Sequence, residues 1–139
     1  MRKAADTAVC GYTICEVADA PDAFEGKYPG EMRFLGGPLA AEQMALTYRR
    51  MPPETGGKGS YGHRHKTQEE IYFVLSGTLQ FKLEDEVLDL PAGTVVRIAP
   101  AVVRSVWNEG PDDAVLIMCS IKSDDPEGDH ETVADFWPE

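Results

Sequence analysis

Gly57-Lys58-Gly59-Ser60-Tyr61-Gly62-His63-Arg64-His65-Lys66-Thr67-Gln68-Glu69-Glu70, running on through Ile71-Tyr72-Phe73-Val74-Leu75 to Ser76-Gly77, is the most informative run in this chain. His63 and His65 stand two residues apart. On a strand, such residues project from the same face. Glu70 opens the next apolar run, so a chain that turns back brings its carboxylate to the same place. Two imidazoles and one carboxylate make an N,N,O donor set. That set suits iron, manganese, nickel, zinc or copper, and matches the ligand types of non-haem iron oxygenases. Glu69 points the other way on this reading, toward solvent.

Outward from this run, the chain reads as strand after strand. Ala45 to Met51 alternates roughly and stops at Pro52-Pro53. Glu70 to Leu75 is rich in β-branched and aromatic residues and stops at Ser76-Gly77. Thr78 to Leu83, Val87 to Leu90, Thr94 to Ile98, Arg104 to Trp107 and Ala114 to Ile121 follow, separated by Gly, Pro or acidic turns. That rhythm predicts an all-β antiparallel sandwich or barrel with little helix. Residues 18–25 and 130–136 are the only places where a helical turn or two is expected.

Gly57, His63, His65, Glu70 and Gly77 reproduce the first motif of the cupin family at every fixed position. The chain therefore resembles a small single-domain bacterial cupin over residues 40–121. The second motif is degraded. Gly93 and Asn108 match it, Ala99 and Ala101 stand where a Pro and a Gly are expected, and Arg104 stands where a His is expected. The resemblance implies a jelly-roll β-barrel, often dimeric. It also implies a metal inside the barrel, with His63, His65 and Glu70 as three of four ligands. Arg104 is not the fourth, because a guanidinium keeps its proton in a protein.

Arg104 shares parity with Asn108 and is expected to point inward. Three arrangements then follow. A divalent transition metal (Fe, Mn, Ni, Zn or Cu) sits on His63, His65 and Glu70, and Arg104 grips an anionic substrate. Alternatively Arg104 pairs with Glu70 and the cavity holds no metal, since a guanidinium repels a nearby cation. Or the metal-free cavity works by acid–base chemistry, with His63 or His65 as general base and Arg104 stabilising an oxyanion or enolate. Tyr72 and Gln80 share parity with Glu70 and are expected to line the cavity, with Tyr48 and Met44 from the facing strand. His130 is expected in an exposed loop rather than folded back as the missing ligand. Gly56-Gly57 and Tyr61-Gly62 suggest a lid.

Two classes of function stay open. One is an enzyme acting on a small molecule with a carboxylate or enolisable carbonyl: a metal-dependent dioxygenase or isomerase/lyase, or a metal-independent isomerase or epimerase. The other is a ligand-binding or sensing domain without turnover.

The chain has 139 residues and a net charge of −11, from 13 Lys+Arg against 24 Asp+Glu. Length predicts one domain. The charge argues against a broad nucleic-acid surface, and no apolar run has the length of a membrane span. Met1 to Asp6 lacks the apolar stretch of a signal peptide, so a cytoplasmic protein is expected. Cys10, Cys15 and Cys119 make a poor disulfide framework and are expected to be buried free thiols. Residues 1–35 read as an N-terminal arm, 36–122 as the barrel and 123–139 as an acidic, solvated tail. Phe136-Trp137 is too apolar to hang free and is expected on the barrel or at a contact with another chain. A homodimer acting on a small-molecule substrate is the expected state.

Overall fold

The structure is a computed structural model that describes residues 11–139. Cys10 and the first six residues lie outside the described part. Eleven strands form two antiparallel sheets packed face to face as a jelly-roll barrel. One sheet has the order β1 (Glu31–Phe34), β2 (Met44–Met51), β10 (Ala114–Ile121), β5 (Glu70–Ser76), β8 (Val95–Ile98). The other has the order β11 (His130–Trp137), β4 (Ser60–His65), β9 (Arg104–Asn108), β6 (Thr78–Leu83), β7 (Glu86–Pro91), with the short β3 (Thr55–Gly56) paired to β9. Among the described residues, helical structure is a single 3-10 turn at Val17–Asp19 and one turn, α1, at Pro126–Asp129.

The core lies between the sheets, where Tyr72, Val74, Leu116, Met51 and Ile98 meet Leu79, Phe81 and Val106. Burying such side chains is the main favourable contribution to the fold. Gly77 sits at the corner where the chain leaves one sheet after β5 and enters the other at β6. Its φ is +74°, and a Cβ there would press on Ala114 and the Asp113 carbonyl at 2.8 Å. The inward parity resets at this corner: Tyr72 and Val74 point in before it, Leu79 and Phe81 after it. Asn108 locks the β9–β10 turn, donating to the Met51 and Asp112 carbonyls and accepting from Gly110 N.

The acidic tail differs most from expectation. Residues 130–136 are a strand, not a helical turn or a solvated loop. Asp125 caps the short α1, accepting from Gly128 N, with Pro126 at its start. The chain then pairs along β4, His130 with His65 and Thr132 with His63. Trp137 is buried, and Phe136 lies under the Lys82 ammonium at 3.9 Å. The apolar and β-branched side chains of Thr132, Val133, Phe136 and Trp137 outweigh the flanking acids.

Gly56 belongs to β3 and Tyr61–Gly62 to β4, so of the expected lid only the turn at residues 57–59 lies outside a strand. Cβ atoms at Gly56 and Gly57 would overlap the Val106 carbonyl and the Ser105 side chain, so these glycines admit close backbone packing. Cys15 and Cys119 are free thiols, half-buried rather than buried. No helix among the described residues is long and apolar enough to cross a membrane.

Candidate functional site

Between the sheets lies a cavity of about 600 Å³. Five strands bring its ionisable side chains together. β4 supplies His63 and His65, β9 supplies Arg104, β5 supplies Glu70 and Tyr72, β2 supplies Arg49 and β11 supplies His130. β4 and β9 belong to one sheet and β5 to the other, so the N,N,O set is assembled only when the sheets close.

Glu70 Oε1 is the centre of this arrangement. It lies 3.4 Å from His65 Nε2 and 3.6 Å from His63 Nε2. The Tyr72 hydroxyl donates to it at 2.9 Å, and Arg104 Nη2 stands 3.0 Å away. Burial pushes the Glu70 carboxyl up, but His63, Arg104, Tyr72 and His65 together hold it below the ordinary glutamate value. Burial pushes the Tyr72 phenol far above its ordinary value, so it stays a neutral donor.

His65 is braced from behind. Its Nδ1 lies 3.1 Å from Asp129 Oδ2, and Asp129 also accepts from Thr67 N, Thr67 Oγ1 and Gln68 N. Burial raises the Asp129 carboxyl, and these four donors hold it below the ordinary aspartate value. A carboxylate on Nδ1 selects the tautomer whose Nε2 lone pair faces the cavity. Desolvation lowers the His65 pKa, which keeps that ring neutral near pH 7. His130 stacks on His63, with ring centres 4.9 Å apart and planes 14° from parallel.

Arg104 is fully buried. Its Nη1 donates to the Pro100 and Val102 carbonyls, which fixes the guanidinium against the turn after β8. Its Nη2 contact with Glu70 is an ion pair without hydrogen-bond alignment, and Nε and Nη2 have no hydrogen-bond partner. Arg104 pairs in register with His63, so it occupies the face that parity predicts.

The donor set fits one divalent ion. Donors about 2.1 Å from a common ion and roughly at right angles lie about 3 Å apart, close to the two His–Glu separations here. All three donor atoms lie within 4.8 Å of one another, and this is the only such cluster among the described residues. The braced, neutral His65 is in ligand form. Arg104 fills the place of a fourth ligand with a cation.

The structure therefore brings together His63, His65, Glu70, Arg104 and Tyr72. It does not bring Tyr48 or Gln80 to the cavity. Met51 is buried at the end of β2, so the inward residues counted back from it are Arg49, Thr47 and Ala45, and Tyr48 and Met44 face outward. Gln80 lies between the inward Leu79 and Phe81 because parity resets at Gly77. Glu69 is exposed and pairs with Arg97. Three contributors were missed: Arg49, Asp129 and His130. Counting back from Met51 finds the first. The Asp125-Pro126 start signal and the alternation of residues 130–137 find the others.

Residues 49–120 match the family model described as cupin domain. The chain is similar to a cupin protein of Bacteroides fragilis, at 25% identity over 81% of this chain and 86% of that one, with a TM-score of 0.64. It shares the fold of a predicted oxalate decarboxylase from Thermotoga maritima, at 20% identity over 80% and 100% of the chains and a TM-score of 0.65. It also shares the fold of KdgF from Halomonas sp., at 19% identity over 78% and 90% and a TM-score of 0.59. An uncharacterised protein of Methanocaldococcus jannaschii is 31% identical over 58 residues, 42% of this chain and 46% of that protein's length.

Proposed function

Because this chain belongs to the cupin family, to which just over half of it matches, we propose that it holds a divalent transition metal on His63, His65 and Glu70 and acts on a small carboxylate or carbonyl compound. The observation that supports this reading is the convergence of two imidazole Nε2 atoms on Glu70 Oε1 at 3.4 and 3.6 Å, with His65 Nδ1 held by Asp129. A bound ion supplies Lewis-acid polarisation for isomerase or lyase chemistry, or oxygen chemistry if it is iron.

The chain's own residues do the rest. Asp129 keeps His65 in one tautomer and orientation. Tyr72 donates to Glu70 and fixes its carboxylate plane. Arg104 presents Nε and Nη2 without hydrogen-bond partners beside the donor set, which suits them to stabilise negative charge developing on a substrate oxygen. The sheets shield His65 and Glu70 from most contact with water, so that charge is met mainly by fixed donors.

A second reading keeps the same cavity without metal. The 3.0 Å Arg104–Glu70 ion pair favours it, because the guanidinium already neutralises the carboxylate. His63 Nε2 then takes the substrate proton and Arg104 stabilises the resulting enolate. Elemental analysis of untagged, chelator-free protein separates the two. About one equivalent of a transition metal per chain is expected; no metal, and no uptake on reconstitution, leaves the acid–base reading.

The proposal includes a homodimer. Tyr48, Ile117, Phe73 and Val95 are cross-strand partners in one row across the outer face of the five-stranded sheet. Ile71 and Leu75 flank that row and are exposed. An apolar sheet face of this kind suits a self-complementary contact.

A further inference from the structure

Six arginines lie among the described residues. Five have a carboxylate partner: Arg33 and Arg50 share Glu31, Arg64 meets Glu131, Arg97 meets Glu69 and Arg104 meets Glu70. Arg49 has none. This is notable in a chain with 24 acidic residues against 13 basic ones, where a carboxylate partner is easily found. Arg49 points into the cavity from β2, and its Nε is buried without any hydrogen-bond partner. Phe24 lies under its guanidinium at 5.8 Å. Burial pushes its pKa down, with only the nearby Tyr28, Tyr72 and Tyr61 acting the other way.

Arg49 is half-buried, and holding a cation there without a counter-charge is costly. A surface arginine on this strand would cost nothing, and Arg50 next to it is such a residue, with two partners. The placement makes sense if the missing anion arrives with a ligand. We propose that Arg49 is the receptor for a carboxylate group of the substrate. This deepens the proposed function, since it rests on the cavity being the substrate site.

The chemistry selects the group. A guanidinium binds a planar carboxylate through two parallel hydrogen bonds. The lining contains no lysine, and its other arginine, Arg104, is already paired with Glu70, so no unpaired permanent cation is left to match the second charge of a phosphate dianion. Position selects the shape. Arg49 stands in register with Leu116 and Val74, while Glu70 stands in register with Ser120, with the Met118–Tyr72 row between them. A substrate held by Arg49 therefore reaches the His63–His65–Glu70 cluster with a second functional group several atoms away. Aromatic side chains of Phe24 and Tyr28 line the space around the anchor.

The test uses chelator-treated protein, so that a carboxylate cannot bind through a metal. Benzoate is titrated against benzamide, and hexanoate against hexanamide, by calorimetry. Wild type is expected to bind each carboxylate at least tenfold more tightly than its amide. Arg49→Gln is expected to lose that preference and Arg49→Lys to keep part of it. Arg97→Gln, which removes a surface arginine outside the cavity, is expected to keep it whole. Arg49→Met is expected to raise the melting temperature of the unliganded protein, because it removes a half-buried unpaired charge; an arginine with a purely structural role would give a fall. No discrimination by wild type, full discrimination by Arg49→Gln, or a lower melting temperature in Arg49→Met overturns the proposal. Metal content of wild type is measured on a separate sample, so failure of the metal reading is distinguishable from failure of this one.

Discussion

Arg104 Nη2 stands 3.0 Å from Glu70 Oε1, the same oxygen that takes the Tyr72 hydroxyl and faces both His63 and His65. One oxygen thus serves two competing cations: the guanidinium that is always there and any metal that enters. The guanidinium cannot leave, because its Nη1 is tied to the Pro100 and Val102 carbonyls. The site is therefore tuned by this pair more than by the histidines.

Replacing the cation tests that tuning. Arg104→His is expected to raise affinity for zinc or manganese at least tenfold, since it removes a charge beside the ligand oxygen and supplies a fourth donor. Competition titration with a chromophoric chelator reads it. Unchanged or weaker affinity would show that Arg104 does not oppose the metal.

Removing the anion has the opposite liability. Glu70→Gln leaves Arg104 buried without a counter-charge and is expected to cost about 3–5 kcal/mol of stability. Urea unfolding of chelator-treated protein measures it. A loss under about 1 kcal/mol would mean that the pair is effectively solvated.

Asp129 acts on the site through His65. Asp129→Asn is expected to weaken metal affinity about 10–100-fold, because the tautomer and ring orientation of His65 are no longer enforced. A variant that binds metal like wild type would reduce Asp129 to a brace for the α1 turn.

The same carboxylate sets a pH dependence. Asp129 is held below its ordinary value despite burial, so it takes up a proton less readily when folded than when unfolded. Its contribution is present above the unfolded pKa and is lost as pH falls through the folded one. The excess stability of chelator-treated wild type over Asp129→Asn is expected to be steady from pH 7 to 5 and to shrink below about pH 4. An excess that grows on acidification would reverse the assigned sign.

Gly62 carries the contact between β4 and the end of β11. An added Cβ would overlap the Phe136 ring and crowd the Arg104 carbonyl, so Gly62→Ala is expected to cost about 1–3 kcal/mol. Hydrogen exchange should place the loosening in β11. Uniform protection with unchanged stability would mean that Phe136 simply moves aside.

The His-x-His pair, the following Glu and the turn rhythm sufficed to read the barrel from the chain. Local signals carried that much, because alternation puts His63 and His65 on one face whatever surrounds them, and Gly77 breaks the strand by its own backbone preference. Thr78–Leu83 and Ala114–Ile121 match their expected limits residue for residue. Parity failed where it was carried across a break or started without an anchor. Gln80 lies beyond the sheet-switching corner at Gly77. Tyr48 was placed on a strand without an anchor to say which face was buried, and Met51 provides that anchor in the structure.

Sequence alone determined the all-β architecture, the N,N,O donor set and the inward side of Arg104, since each follows from residue type and a period of two. Only the tertiary structure decided which carboxylate braces His65, that the acidic tail is a strand bearing His130, and that Arg49 is the arginine without a carboxylate partner among the described residues. These depend on contacts between residues as far apart as His65 and Asp129. Such pairings exist only once the sheets close, and no local pattern specifies them.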